Sequence, residues 1–457
     1  MNYRIYPIIC FTTAIFMTGS ILLPSTIKAK RISMIRDVEI ETTIRRFAEP
    51  LFLAAGLEPS SIRIHIVKDN TLNAFVAGGQ RIFINTGLIL KSKNVGQIIG
   101  VLAHEIGHIA GGHLIKGTNA RKDISATALL GVLLGGAAVI AGRPDAGAAA
   151  IQLGSNIGIR NYLSFSRTQE SSADRSALRF MEQTQQSATG LLEFMEVLGD
   201  QELLSARNQD PYVRTHPLSQ NRIEAIRRHL KKSRFTNTPA SKRNKEFYSR
   251  IRAKIVGFTQ TFSQTLREYP QNDGSIASIY ARTIAHFRKP NILEAIKLIN
   301  QLTAKHPNDP YFHELKGQIY FENGKIDLAL KSYQVATNLI PESPLLRAQL
   351  AHVQIEKNEP EFLRMAILNL LYSVNKDPTR PSVWRQLSIA YGRLNKKGES
   401  SQALAEEAIL LGRNNEAIKL AERAKKLLKS GTTNWLRAED IINLAHINLK
   451  KKRVRKQ

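Results

Sequence analysis

The sequence predicts a mostly α chain of the α+β class: a helical domain holding a small sheet, then an all-α solenoid. Three features of the 457 residues carry that prediction. The segments SIRIHIV and RIFIN alternate apolar and polar residues as half-buried strands do, whereas the stretches around them repeat apolar residues at helical spacing. From about residue 270 onward, small and aromatic residues recur with a period near 34, the mark of stacked helix pairs. With 43% hydrophobic and 23% charged residues, the chain can bury more than one core.

The first 29 residues, MNYRIYPIICFTTAIFMTGSILLPSTIKA, have a basic start at Arg4, an apolar stretch from Ile8 to Leu23 and an alanine at Ala29. That order reads as a secretory signal, 1–29, with an uncleaved anchor as the alternative because Ile27 is bulky for a cleavage site. The single cysteine, Cys10, falls inside this segment and lacks the small-residue context of a lipid-modified cysteine. The formal net charge of +27 would attract nucleic acid, anionic lipid or acidic polymers. Export makes nucleic acid the least suitable of these, and no nucleic-acid-binding motif accompanies the basic clusters at 231–235, 241–245 and 450–457. The remaining chain divides into a first domain at 30–235, a basic linker and connecting helix at 236–268, and the repeats at 269–457.

Residues 34–56 have helical apolar spacing, with Gly56 placed to end the helix. The strand SIRIHIV follows, then a second strand containing Ile82 and Ile84 after a turn at Gly78-Gly79. Asn94 can cap a helix running from Val95 to near Gly117. That helix contains VLAHEIGHIAGGH (101–113), three histidines and a glutamate in an otherwise apolar run, where burying polar groups is costly unless something binds them.

His104 and His108 are one turn apart on one helix face, the bite for a single metal ion. Glu105 beside them can take a proton from a water that the metal activates, and the whole is the H-E-x-x-H pattern of zinc peptidases. Catalytic zinc takes three protein ligands. His113 is rotated away from the pair on a continuing helix and is expected as an outer or surface group, because Leu114 stands where a third metzincin histidine would be. The better third ligand is Glu170 in SFSRTQESSADRSALRF, with Asp174 one turn later to orient one of the imidazoles.

HEIGH at 104–108, ESSAD at 170–174, NAFVAGGQRIFINTGL at 73–88 and THPLSQNR at 215–222 together resemble the CaaX prenyl endopeptidase and heat-shock membrane metallopeptidase superfamily. The resemblance covers about residues 35–235. It implies a gluzincin-type fold in which His104, His108 and Glu170 bind one zinc ion per chain and Glu105 activates water. It also implies that the strand of Arg81, Ile82, Phe83, Ile84 and Asn85 borders the cleft, where an extended substrate adds as a further strand. His216, at the cleft rim with Arg222, would either stabilise an oxyanion or close on the metal as a replaceable fourth ligand; a plain loop histidine is the alternative. Arg222 would serve the site or act as an ion-pair partner. Unlike the membrane members, the chain has only ATALLGVLLGGAAVIAG (126–142) as a long uncharged run after the signal. It reads as a packed helix or mobile lid, with insertion into or contact with a bilayer as the alternative.

In the repeats, Gly317, Tyr320, Ala329, Tyr333, Ala336 and Pro341 occupy the positions of a tetratricopeptide repeat, with Lys316 as a departure. Ala295 and Pro307 precede Ala329 and Pro341 by one period, later copies are stretched to Ala366 and Pro378, and Trp384, Leu387 and Tyr391 restart the pattern. About four repeats result, and such solenoids bind protein segments. The order of signal, peptidase and repeats is similar to periplasmic proteases that act on unfolded or stalled outer-membrane β-barrel proteins and their assembly machinery. The competing reading is a chaperone or scaffold that works through its repeats, its metal site idle or latched.

Overall fold

The computed structural model describes residues 33–113, 166–202, 212 and 216–454. The segment 1–29, expected as a secretory signal, and the apolar run 126–142 lie outside the described residues. No helix among the described residues is long and apolar enough to cross a membrane.

Met34 and Ile35, read from sequence as helical, instead form β1 (Met34–Ile35), antiparallel to β2 (Arg63–Val67) with Met34 opposite Val67. Helix α1 (Val38–Ala54) begins where the Asp37 side chain accepts a bond from the Ile40 amide. Strands β3 (Ala74–Ala77) and β4 (Arg81–Asn85) complete a sheet in the order β1-β2-β4-β3. β2 and β4 are parallel, β3 and β4 antiparallel. Alternation along the strands sends Ile64, Ile66, Ile82 and Ile84 into the core.

After α2 (Thr86–Lys91), α3 (Val95–Ala110) starts at Asn94, whose side chain accepts from the Gln97 amide. It stops at Ala110 rather than near Gly117, because Gly112 adopts φ 62°, a left-handed conformation that glycine alone takes freely. Helix α4, described over 166–183, then α5 (Thr189–Glu202) and α6 (Gln220–Lys232) close the first domain. Phe47, Leu51, Ile82, Val101, Phe180 and Phe194 belong to one buried cluster that joins α1, the sheet, α3, α4 and α5. The approach of α3 to α4 requires Gly107, where a Cβ would lie 2.6 Å from the carbonyl oxygen of Ala173. That crossing places the residues of the two helices discussed below face to face.

Helix α7 (Lys242–Thr259) leads through α8 (Phe262–Glu268) into the repeats. These comprise α9 (Ile276–Arg288), α10 (Ile292–Lys305), α11 (Pro310–Glu322), α12 (Ile326–Leu339) and α13 (Pro344–Lys357). They continue with α14 (Pro360–Lys376), α15 (Pro381–Arg393), α16 (Lys397–Leu410), α17 (Asn414–Leu427) and α18 (Thr433–Val454). The result is five helix pairs among the described residues, one more than the sequence periodicity marks. Ala295, Ala329, Ala336 and Ala366 are buried where the helices of the stack pack together. The stretched repeat has its extra length in α14, which has 17 residues against 14 in α12.

The two halves share a buried charge network. Glu39 of α1 meets Arg250 at 2.7 Å, and Arg250 continues to Asp309 at 2.6 Å. Lys254 meets Asp37 at 2.8 Å and Glu314 at 3.1 Å, while the Tyr280 hydroxyl donates to Glu39 at 2.8 Å. Nearer the sheet, Arg36 reaches Asp377 of the repeats at 3.1 Å. Buried charges on α1, α7 and α11, with the Tyr280 hydroxyl of α9, thus fix the orientation of repeats to first domain.

Candidate metal centre

His104 and His108 project from one face of α3 toward α4, which presents Glu170. His104 Nε2 lies 3.0 Å from His108 Nε2 and 3.2 Å from Glu170 Oε2, and His108 Nε2 lies 3.3 Å from Glu170 Oε1. A fourth donor, His216 Nδ1, stands 3.4 Å from His104 Nε2 and 3.2 Å from Glu170. Tetrahedral zinc with ligands at about 2.0–2.1 Å separates those ligands by roughly 3.3 Å, so His104, His108 and Glu170 are spaced as three corners of such a site, with His216 beside His104 and Glu170. All four residues offer donor atoms within 4.8 Å of one another.

The surroundings fix which nitrogens face inward. His104 Nδ1 is 2.8 Å from Asp174 Oδ1, an arrangement in which the ring donates to the carboxylate and leaves Nε2 a lone pair. His113 Nδ1 lies 3.0 Å from His108 Nδ1, so His113 supports His108 from behind, as an outer group. Arg222 is buried rather than at a cleft rim; it donates to Asp174 at 2.6 and 2.9 Å and to the Pro217 carbonyl at 2.8 Å. It thereby pins the loop carrying His216 to α4. Tyr212 was not singled out in the sequence, yet its ring stacks on His216 at 4.3 Å and its carbonyl accepts the His216 amide. The one available signal is the spacing Y-x-x-x-H, too common to stand alone.

Glu105 is fully buried, and neither carboxylate oxygen has a hydrogen-bond partner among the described residues. A carboxylate cannot be buried this way cheaply unless a cation or water is its neighbour. Charge counts the same way. Glu105, Glu170 and Asp174 face one buried guanidinium, Arg222, so with the imidazoles neutral, as metal ligation requires, two negative charges are in excess. A divalent cation cancels them. Burial alone would lower the pKa of His104, but its bonds to Asp174 and Glu170 push it up to about 10; the pocket favours positive charge at that point. Burial alone would raise Asp174, but Arg222 and His104 bring it to about 2, and Glu170 is held far below the ordinary carboxylate range against its burial by His216, His104 and His108. The residues therefore fit a bound divalent metal.

Residues 35–230 match Peptidase family M48. They form an M48 metallopeptidase domain. The β-barrel assembly-enhancing protease of Escherichia coli is 25% identical over 412 residues, covering 88% of this chain and 82% of its own. The metalloprotease LoiP of the same organism is 30% identical over 172 residues, 37% of this chain and 62% of its own. The solved structure of YrrB, a TPR protein with an unusual peptide-binding site, aligns with a TM-score of 0.32 at 14% identity over 39% of this chain and 94% of that one.

In this metallopeptidase the strand expected to take substrate is not available. β4 is bonded on both sides, to β2 and to β3, so its main chain has no free edge. Ile82 and Ile84 fill the core, the Asn85 side chain donates to Thr71, and Phe83 is stacked between His65 and Phe75. Arg81 is exposed on the outer face. The strand beside α3 with no further strand partner among the described residues is β3. Sequence could not order the sheet, because the parallel pairing of β2 with β4 across the intervening β3 is a tertiary choice.

Proposed function

We propose that this metallopeptidase is a periplasmic zinc endopeptidase whose repeats hold unfolded or stalled proteins, outer-membrane β-barrel proteins and their assembly machinery among them. The observation that carries the reading is the four-donor cluster next to a buried Glu105 that has no hydrogen-bond partner among the described residues and only His216 Nε2, at 3.5 Å, as an ionic neighbour. His104, His108 and Glu170 would hold the zinc, which would supply Lewis acidity toward a water and a carbonyl. Glu105 takes the proton from the attacking water and returns it to the departing amine. Asp174 keeps His104 in the ligating tautomer, and Arg222 keeps Asp174 charged. The edge of β3 that has no strand partner among the described residues offers main-chain bonds to an extended substrate. The choice of substrates follows the name of the Escherichia coli relative, which aligns over most of both chains.

The test is Glu105→Gln in the full chain. The variant should keep its metal and lose about 100- to 10,000-fold in the rate of cleavage of an unfolded protein, the usual worth of a positioned acid–base group. Retained cleavage would refute the assignment.

One observation favours a second reading, a latched protease that works mainly as a chaperone: His216 Nδ1 stands where a fourth ligand would exclude water. Replacing His216 with alanine separates the roles. A rise in cleavage supports the latch, a fall supports catalysis by His216, and no change removes both.

A further inference from the structure

The outer face of the sheet carries a row of stacked rings. His65, Phe83 and Phe75 are register partners across β2, β4 and β3. Phe83 and Phe75 lie 5.0 Å apart with planes 7° apart, and His65 and Phe83 lie 4.9 Å apart at 22°. The spacing is that of neighbouring strands, about 4.8 Å, so each strand contributes one rung. The row ends at Phe75, on the strand whose far edge has no partner among the described residues, and Phe75 itself is half-buried.

The register says what a strand added there would meet. The Asn85 amide donates to the Asn73 carbonyl at 3.0 Å, so residues 73, 75 and 77 direct their main-chain groups toward β4. Ala74 and Val76 then direct theirs to the edge without a strand partner among the described residues. An antiparallel strand bonding to Val76 places one residue across from Phe75 in a non-hydrogen-bonded pair, the kind in which side chains come closest. That residue supplies the next rung.

We infer that Phe75 is a specificity-determining residue: the substrate strand is selected for an aromatic side chain opposite it, continuing the His65–Phe83–Phe75 stack. A flat ring extends a parallel stack better than a branched aliphatic chain. Arginine could stack as well, but Arg63 and Arg81 are neighbours on the same face and disfavour a further cation. Phe83 thus acts on substrate only through Phe75. The inference rests on the peptidase reading and on substrate addition at β3.

The experiment is cleavage of a positional peptide library by the metal-loaded full chain. One position should prefer Phe, Tyr or Trp over Ala by about 2- to 10-fold in kcat/KM, the range of an aromatic pair, with Arg disfavoured. Phe75→Ala should bring that ratio to about one, whatever it does to the overall rate, and Phe75→Tyr should preserve it. No aromatic preference at any position, or one that survives in Phe75→Ala, overturns the inference. If no peptide is cleaved, the peptidase reading fails separately. Binding of the same library to Glu105→Gln then decides: aromatic enrichment erased by Phe75→Ala supports the inference, and its absence overturns it.

Discussion

Replacing Asp174 by asparagine keeps its shape and removes its charge. Asp174 Oδ1 accepts from His104 at 2.8 Å and from Arg222 at 2.9 Å, while Oδ2 accepts from Arg222 Nε at 2.6 Å. An asparagine has one oxygen for these three donors. If that oxygen faces His104, the amide group opposes the Arg222 Nε–H. If it is flipped, the amide opposes the His104 Nδ1–H and drives that proton to Nε2, where a metal ligand needs its lone pair. Arg222 itself stays bonded to the Pro217 carbonyl, so the loss falls on the metal site. Disrupting such an outer partner typically weakens metal binding 10- to 100-fold, or about 1.4–2.7 kcal/mol. Competition against a chromophoric chelator measures it. Parent-like zinc affinity in Asp174→Asn would refute the claim that this carboxylate sets the His104 tautomer.

Two more substitutions probe the scaffold. Gly107→Ala puts a Cβ 2.6 Å from the Ala173 carbonyl, so α3 and α4 must separate; it should cost about 1–3 kcal/mol in urea unfolding and weaken metal binding. Gly199→Ala, with nothing within 4 Å of its added Cβ, is the control and should leave metal binding unchanged. Lys254→Met leaves Asp37 and Glu314 without their buried cation and should destabilise the joint by about 3–5 kcal/mol, read as a lower unfolding midpoint or a split transition.

What the sequence revealed follows from the range of its signals. His104 and His108 are four residues apart on one helix, and helical period alone puts them together. Glu170 was legible because a third ligand had to exist and ESSAD offered a carboxylate with a second one turn later. The repeats were legible as small residues at a fixed period, and the extra length was absorbed by α14. The position of β4 was not, since strand order depends on which edges meet rather than on alternation. Nor was the joint: Glu39, Arg250 and Lys254 look like solvated helix residues until α1, α7, α9 and α11 are packed together. Tyr212 likewise acquires its role only through the placement of His216.

Metal content and activity, measured together on the purified chain, probe whether zinc at His104, His108 and Glu170 drives cleavage. The expected result is one zinc per chain by mass spectrometry, cleavage of an unfolded protein that stops on chelation, and recovery when zinc is restored. Cleavage that persists unchanged after the metal is stripped, or a metal-loaded chain from which His104→Ala and Glu170→Ala remove nothing, would contradict it.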